Sequence, residues 1–275
     1  MEEDEQKMQS LLHEHGHIFS RAIGLAFSPK QIYRAIFKMG RGRTFYLFLL
    51  LLLQVVSFFL YFANGTFSLK PDTSVTGIIG LLAGITGIIS VVICADGEIT
   101  NYFWGILNNI AYIYVSFANH LYGEVYLNLY FFILAFIGIY EWTAKNIQTD
   151  SDRKDVVQVK ELTKWGWVAL VVLVLIGWFV LGSFLKQVPL LSSTLDPHPW
   201  IDSISVVVQV FAQLLMVLRY GSSQWLLWII ADVAELVLWT INFNPIIIAL
   251  WLAYLINALY GYYVWTYKLQ KEVKA

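Results

Sequence analysis

Charge, cysteine and catalytic motifs are what this chain has little of. Only 13% of its residues are charged and the net balance is −1, where soluble domains carry about 25% charge. Nothing resembles the basic, aromatic-studded surface that grips RNA or DNA, so no nucleic-acid partner is expected. The single cysteine, Cys94, sits in an apolar run, which excludes an internal disulfide and says nothing of redox compartment. No Gly-x4-Gly-Lys-Ser/Thr loop, HExxH or GxSxG occurs, and no Cys/His set would hold a catalytic metal. The expectation is a protein that is not an enzyme and has no resident cofactor. No cleavable signal is expected either, because the first 43 residues are polar and the first apolar run starts too late.

What the chain has is hydrophobic length. Hydrophobic residues make up 58%, with 11 tryptophans and 16 tyrosines, and the mean hydropathy is +0.63. Runs of about 20 apolar residues span a bilayer, and eight are present: 44–63, 75–95, 101–118, 121–143, 165–185, 202–219, 223–242 and 244–266. The fold class expected is an all-α membrane protein of eight transmembrane helices. Positive residues orient it. With the N-terminus inside, the tail, the 145–164 loop, Arg219 and the C-terminus hold all Lys and Arg except Lys70 and Lys186. Both termini should therefore face the cytoplasm. Residues 1–43 read as a cytoplasmic tail whose basic, apolar-punctuated second part forms an interfacial helix. Its His13, His15 and His17, spaced by two, do not share a helical face and read as solvated.

The chain also repeats itself. A shift of 124 overlays Gly97 on Gly221, Trp104 on Trp228, Ile106 on Ile230 and Asn108 on Asp232. A shift of 123 then overlays Gly138, Tyr140 and Trp142 on Gly261, Tyr263 and Trp265. Spans 2–4 thus look like a copy of spans 6–8, with span 5 joining them. Three spans per copy and one joining span give both copies the same orientation, a parallel 3+1+3 repeat. The organisation expected is a tail (1–43), a peripheral span (44–66), a first three-helix bundle (74–145), a linker span (163–186) and a second bundle (200–268).

One stripe stands out. Trp225, Trp228, Asp232, Glu235 and Trp239 are spaced 3, 4, 3 and 4, which puts them on one face of span 7. A carboxylate inside a span costs roughly 2.5–3.5 kcal/mol on insertion scales and is a functional candidate by default. Aromatic planes beside it suit a flat, cationic or polar ligand. Asn101, Trp104, Asn108 and Tyr112 face from span 3, Glu124 and Asn128 from span 4, Gln209 and Gln213 from span 6, and Asn257 from span 8. Single amides in spans often serve as interhelical glue, and Glu124 would also suit the start of span 4. Trp142, Trp165, Trp200 and Trp265 lie at span ends and read as interface anchors, with Trp225 and Trp239 as further belt candidates. Gly77, Gly80, Gly84 and Gly87 form a close-packing face.

The stretch Asn101–Trp142 and the segment Trp225-Leu-Leu-Trp228-Ile-Ile-Ala-Asp232 resemble the two half-signatures of PnuC-type vitamin transporters, over about residues 75–266. The resemblance implies two three-helix bundles joined by one helix, as in sugar-facilitating SWEET proteins, and a homotrimer in a bacterial inner membrane. It implies facilitated diffusion of nicotinamide riboside, trapped inside by a phosphorylating kinase. Trp225 and Trp228 match the family's WxxW pair and would stack on the flat ring, with Asp232 pairing with the pyridinium or a ribose hydroxyl. Asn108 would be its partner in the other half. Gln213, Asn128 and Tyr112 would supply hydrogen bonds to the sugar and carboxamide. Glu235 is not expected from the family. It leaves open another nucleoside-like or vitamin substrate (a deoxyribonucleoside, thiamine or riboflavin) and a proton-coupled version.

Overall fold

Prolines, small capping residues and left-handed turns divide the apolar runs into helices. The computed structural model describes residues 2–63, 65–118, 122–148, 157–187, 198–241 and 245–269. In order these form α1 (Glu2–Ala26), α2 (Pro29–Phe37), α3 (Arg41–Phe59), β1 (Leu60–Ala63), β2 (Thr66–Leu69), α4 (Val75–Ala95), α5 (Asn101–Ala118) and α6 (Tyr122–Gln148). There follow α7 (Lys164–Leu185), α8 (Pro199–Val217), α9 (Gly221–Ile241) and α10 (Pro245–Tyr263), the last running into a π-helical turn at Val264–Leu269. Pro29, Pro199 and Pro245 open helices where their missing N–H costs nothing. Ser74 and Thr163 cap α4 and α7 by accepting the amides of Gly77 and Gly166, each at 3.1 Å.

Seven helices among the described residues are long and apolar enough to cross a membrane: α3, α4, α6, α7, α8, α9 and α10 with its π-helical turn. The chain is an all-helical membrane protein. The remaining expected span, 101–118, does form as helix α5 and packs between α4 and α6. Asn101, Asn108 and Asn109 with Tyr102, Tyr112 and Tyr114 leave it less apolar than the seven. The run 44–63 is not one helix. It ends at Phe59 and continues as a hairpin in which Leu60–Ala63 pairs antiparallel with Thr66–Leu69, turning at Gly65 with φ +77. Of the basic residues that orient the chain, Arg153, Lys154, Lys271 and Lys274 lie outside the described residues.

The helices pack in chain order as α4–α5–α6 and α8–α9–α10. The two triplets meet through α6 against α8 and α10 against α4, while α7 leans on α8. Only 17% of α7 and 11% of α3 is buried, which makes both peripheral. The segment 1–43 is helical rather than a loose tail. α1 lies along α6 with Ile18, Ala22 and Ala26 fully inserted, His15 meets the Tyr140 hydroxyl at 2.5 Å, and His13 and His17 are exposed.

The triplets are pinned at the end of the bundle that carries the α4–α5 and α8–α9 turns, called here the basic end. α4 and α8 finish alike. Gly97 (φ +75) and Arg219 (φ +67) adopt left-handed conformations, and their amides return to the carbonyls of Cys94 and Met216 at 2.9 and 3.0 Å. Trp142 and Trp265 are not interface anchors. They are 1% and 0% exposed and meet edge-to-face at 5.2 Å. Each crosses to the other triplet: the Trp142 indole donates to the Met216 carbonyl at 3.0 Å, and the Trp265 indole to the Cys94 carbonyl at 3.1 Å. Cys94 Sγ touches Met216 Sδ at 3.3 Å between them. Trp165, 82% exposed, fits the anchor reading. A strap outside the bundle ties the two turns: the Val157 amide donates to the Gly97 carbonyl and the Lys160 amide to the Arg219 carbonyl, both at 2.9 Å. Glu161 then caps α9 by accepting the Ser222 amide at 3.1 Å and the Ser222 hydroxyl.

Candidate functional site

The stripe on α9 divides by depth. Trp225, 4% exposed, lies in the packed basic end with its ring against the backbone of Gly261, where a methyl group would collide with it. Its ring stands edge-on to Trp265 at 6.0 Å, and its indole N–H has no hydrogen-bond partner among the described residues. A belt position is thereby excluded. Trp228, one turn further, is half-buried and joins two clusters of the core. Asp232 stands midway along the helix and is 5% exposed. Its carboxylate has no hydrogen-bond partner among the described residues, and the nearest titratable group on its helix is another acid, Glu235.

Glu235 is provided for. It accepts the Ser205 hydroxyl at 2.7 Å, and Gln209 donates to the same hydroxyl at 3.0 Å. Trp239 also bonds to it. Gln213, 9% exposed, lies one turn beyond Gln209 along α8. Across the triplets, Tyr112 and Glu124 lie within electrostatic reach of Glu235, and Tyr254 within reach of Tyr112 and Asp232. Tyr112 is 42% exposed. Asn128, 6% exposed, turns its amide onto the Glu124 carbonyl of its own helix at 2.8 Å.

Asn108 does not join this group. Its amide donates to the Ala83 carbonyl of α4 at 2.7 Å and fills the space above Gly87, so one of its donors serves the contact between neighbouring helices. No hydrogen bond links it to Asp232. Asn257 serves such a contact as well, donating to the Val91 carbonyl at 3.0 Å. Two tyrosines that the sequence reading missed lie within electrostatic reach of Asp232. Tyr254 comes from α10 and Tyr46 from α3, the latter anchored by its hydroxyl to the Ala253 carbonyl at 2.6 Å. Tyr254 lies one turn before Asn257, a spacing that could have flagged it. Tyr46 sits in the run assigned to a peripheral span and carried no signal.

A multi-pass helical bundle that buries a carboxylate at mid-depth, with no hydrogen-bond partner among the described residues, has the build of a membrane carrier. A profile of the nicotinamide mononucleotide transporter family matches residues 77–267. The chain is 37% identical over 195 residues to the nicotinamide riboside transporter PnuC of Haemophilus influenzae, covering 70% of this chain and 81% of that one. It is 33% identical over 213 residues to the protein of the same name from Neisseria mucosa, covering 75% and 76%. A crystal structure of the vitamin B3 transporter PnuC superposes with a TM-score of 0.66 at 30% identity, over 89% of this chain and 99% of that one. The chain belongs to this transporter family and is not an enzyme.

Proposed function

We propose that this chain carries nicotinamide riboside across a bacterial inner membrane by facilitated diffusion. The observation that carries the reading is Asp232: a carboxylate at mid-depth, 5% exposed, with no hydrogen-bond donor among the described residues. An isolated carboxylate in hydrocarbon is expensive, whereas a pyridinium cation bound against it would compensate the charge. Trp228 would supply the stacking face, Tyr254 and Tyr46 hydroxyls near the ribose, and Gln213, Asn128 and Tyr112 further polar contacts. Trp225 would support Trp228 from the packed end.

Several family expectations go with this reading. α5 would cross beside α4 and α6 as the eighth span. The two triplets would be copies in a parallel repeat, supported by the reciprocal bonds of Trp142 and Trp265 and the matching ends of α4 and α8. The basic end would face the cytoplasm with both termini. The chain would assemble as a homotrimer, and a kinase would trap the substrate inside by phosphorylation.

Uptake of labelled nicotinamide riboside into liposomes holding the purified protein tests the proposal. Saturable uptake that stops at equal concentrations inside and out supports it, and uptake no faster than in empty liposomes overturns it. Glu235 beside Asp232 favours one second reading, proton coupling. Uptake that accumulates substrate when a pH gradient is imposed would select it.

A further inference from the structure

Arg43 belongs to α3, outside both triplets, yet its side chain ends between them and is only 14% exposed. The end of α4 receives it. At the C-terminus of a helix the last carbonyls lose their amide partners, and a cation there meets the negative end of the helix dipole. The Asp96 amide turns to the Ile93 carbonyl rather than to that of Val92. Arg43 Nη2 takes the Val92 carbonyl at 2.7 Å. The same guanidinium reaches Asp96 of α4 and Asn257 of α10, with Nε to Oδ2 at 3.4 Å and Nη1 to Oδ1 at 3.3 Å. Tyr260 of α10 stacks under it at 3.9 Å and donates its hydroxyl to Asp96 Oδ1 at 3.0 Å. Burial pushes the Asp96 carboxyl above the ordinary carboxylate range, and the Arg43 guanidinium pulls it back. A second arginine ahead of the first span, Arg34 of α2, pairs with Glu98 in the same turn at 3.5 Å.

We infer that Arg43 is a latch for the transport cycle: the peripheral helix clamps the first triplet (Asp96, Val92) to the second (Asn257, Tyr260) at the basic end. The two triplets separate there only when Arg43 lets go. The strengths suit that role. One bond is short, and the polar contacts that cross to Asp96 and Asn257 lie at the long, weak limit of hydrogen bonding, so the clamp biases the closed arrangement without freezing it. Arg43 acts on the position of the triplets; its guanidinium also lies 5.4 Å from the Tyr46 ring, which stands within electrostatic reach of Asp232, so the latch borders the binding stripe through Tyr46. The inference rests on the transport reading but not on which substrate is carried.

Cys94 reports the latch directly. It is the chain's single cysteine, 5% exposed, two residues before Asp96 and pressed against Met216 of the other triplet. Its alkylation by N-ethylmaleimide should follow the opening of the basic end. In the full chain in liposomes, Arg43→Gln should speed alkylation about tenfold, as loss of a coupling of ordinary allosteric size would. Arg43→Lys should restore part of the protection. Asp96→Asn added to Arg43→Gln should add little, because both remove one interaction. The series is run without substrate, so that a change in affinity transmitted through Tyr46 does not enter the alkylation rate. Should Arg43→Gln not yield monodisperse protein, Tyr260→Phe, which deletes one hydroxyl and keeps the ring, should speed alkylation by a smaller factor. Alkylation unchanged in these variants overturns the latch, as does faster alkylation with additive effects of Arg43 and Asp96. If the parent binds no nicotinamide riboside, the substrate assignment fails, and the alkylation series still decides the latch.

Discussion

A carboxylate in a span reveals its role by what surrounds it. Asp232 and Glu235 lie three residues apart on one helix, yet Glu235 is held by Ser205 while Asp232 has no hydrogen-bond donor among the described residues. Glu235 is satisfied by the protein, and under the proposed function the cationic ligand would serve Asp232. Tryptophans divide in the same way. Trp142 and Trp265 donate their indole N–H across the triplets, whereas the Trp225 N–H is buried without a hydrogen-bond partner among the described residues. Phenylalanine at 142 or 265 should cost about 1–3 kcal/mol, because a buried carbonyl loses its donor. Phenylalanine at 225 should cost less. Thermal denaturation of the three variants checks the order. Gly261→Val should cost about 1–3 kcal/mol by driving a side chain into the Trp225 ring. Trp228→Ala should instead leave the fold intact and weaken binding of nicotinamide riboside by ~1–3 kcal/mol, the scale of base–aromatic stacking; calorimetric titration would show it.

At the scale of elements, hydropathy made the long helices legible, since apolar length and hydrogen-bonded backbone in lipid allow little else. The helix at 101–118 was legible as well, because its asparagines and tyrosines still leave a periodic apolar face. The end of α3 was not. Leu60–Ala63 is as apolar as the residues before it, and only pairing with Thr66–Leu69 turns it into strand. Burial of Trp142 and Trp265 was not legible either, since a tryptophan at a span end looks the same whether it faces headgroups or another helix. Asn108 and Asn257 were readable as polar and buried, but not as donating to the Ala83 and Val91 carbonyls. Arg43 read as one of several interfacial cations, because its partners lie 53 and 214 residues away in the chain.

At the scale of the molecule, most ties between the triplets gather at one end, with the Tyr130 hydroxyl on the Val210 carbonyl at 3.0 Å a further tie deeper in the bundle. The crossed tryptophans, the Cys94–Met216 contact, the Arg219–Glu141 pair at 3.8 Å and the Arg43 clamp all lie at the basic end. Under the proposed function this would be a carrier held shut on that side, with Asp232 at mid-depth. The most direct measurement of the central claim is the affinity of the purified protein and of its Asp232→Asn variant for nicotinamide riboside and for a neutral analogue lacking the ring charge. The account predicts that Asp232→Asn weakens binding of the cation by about tenfold or more, the scale of losing a charge-assisted contact in a desolvated site, and leaves the neutral analogue nearly unaffected. Equal losses for both ligands, or none for either, would contradict it.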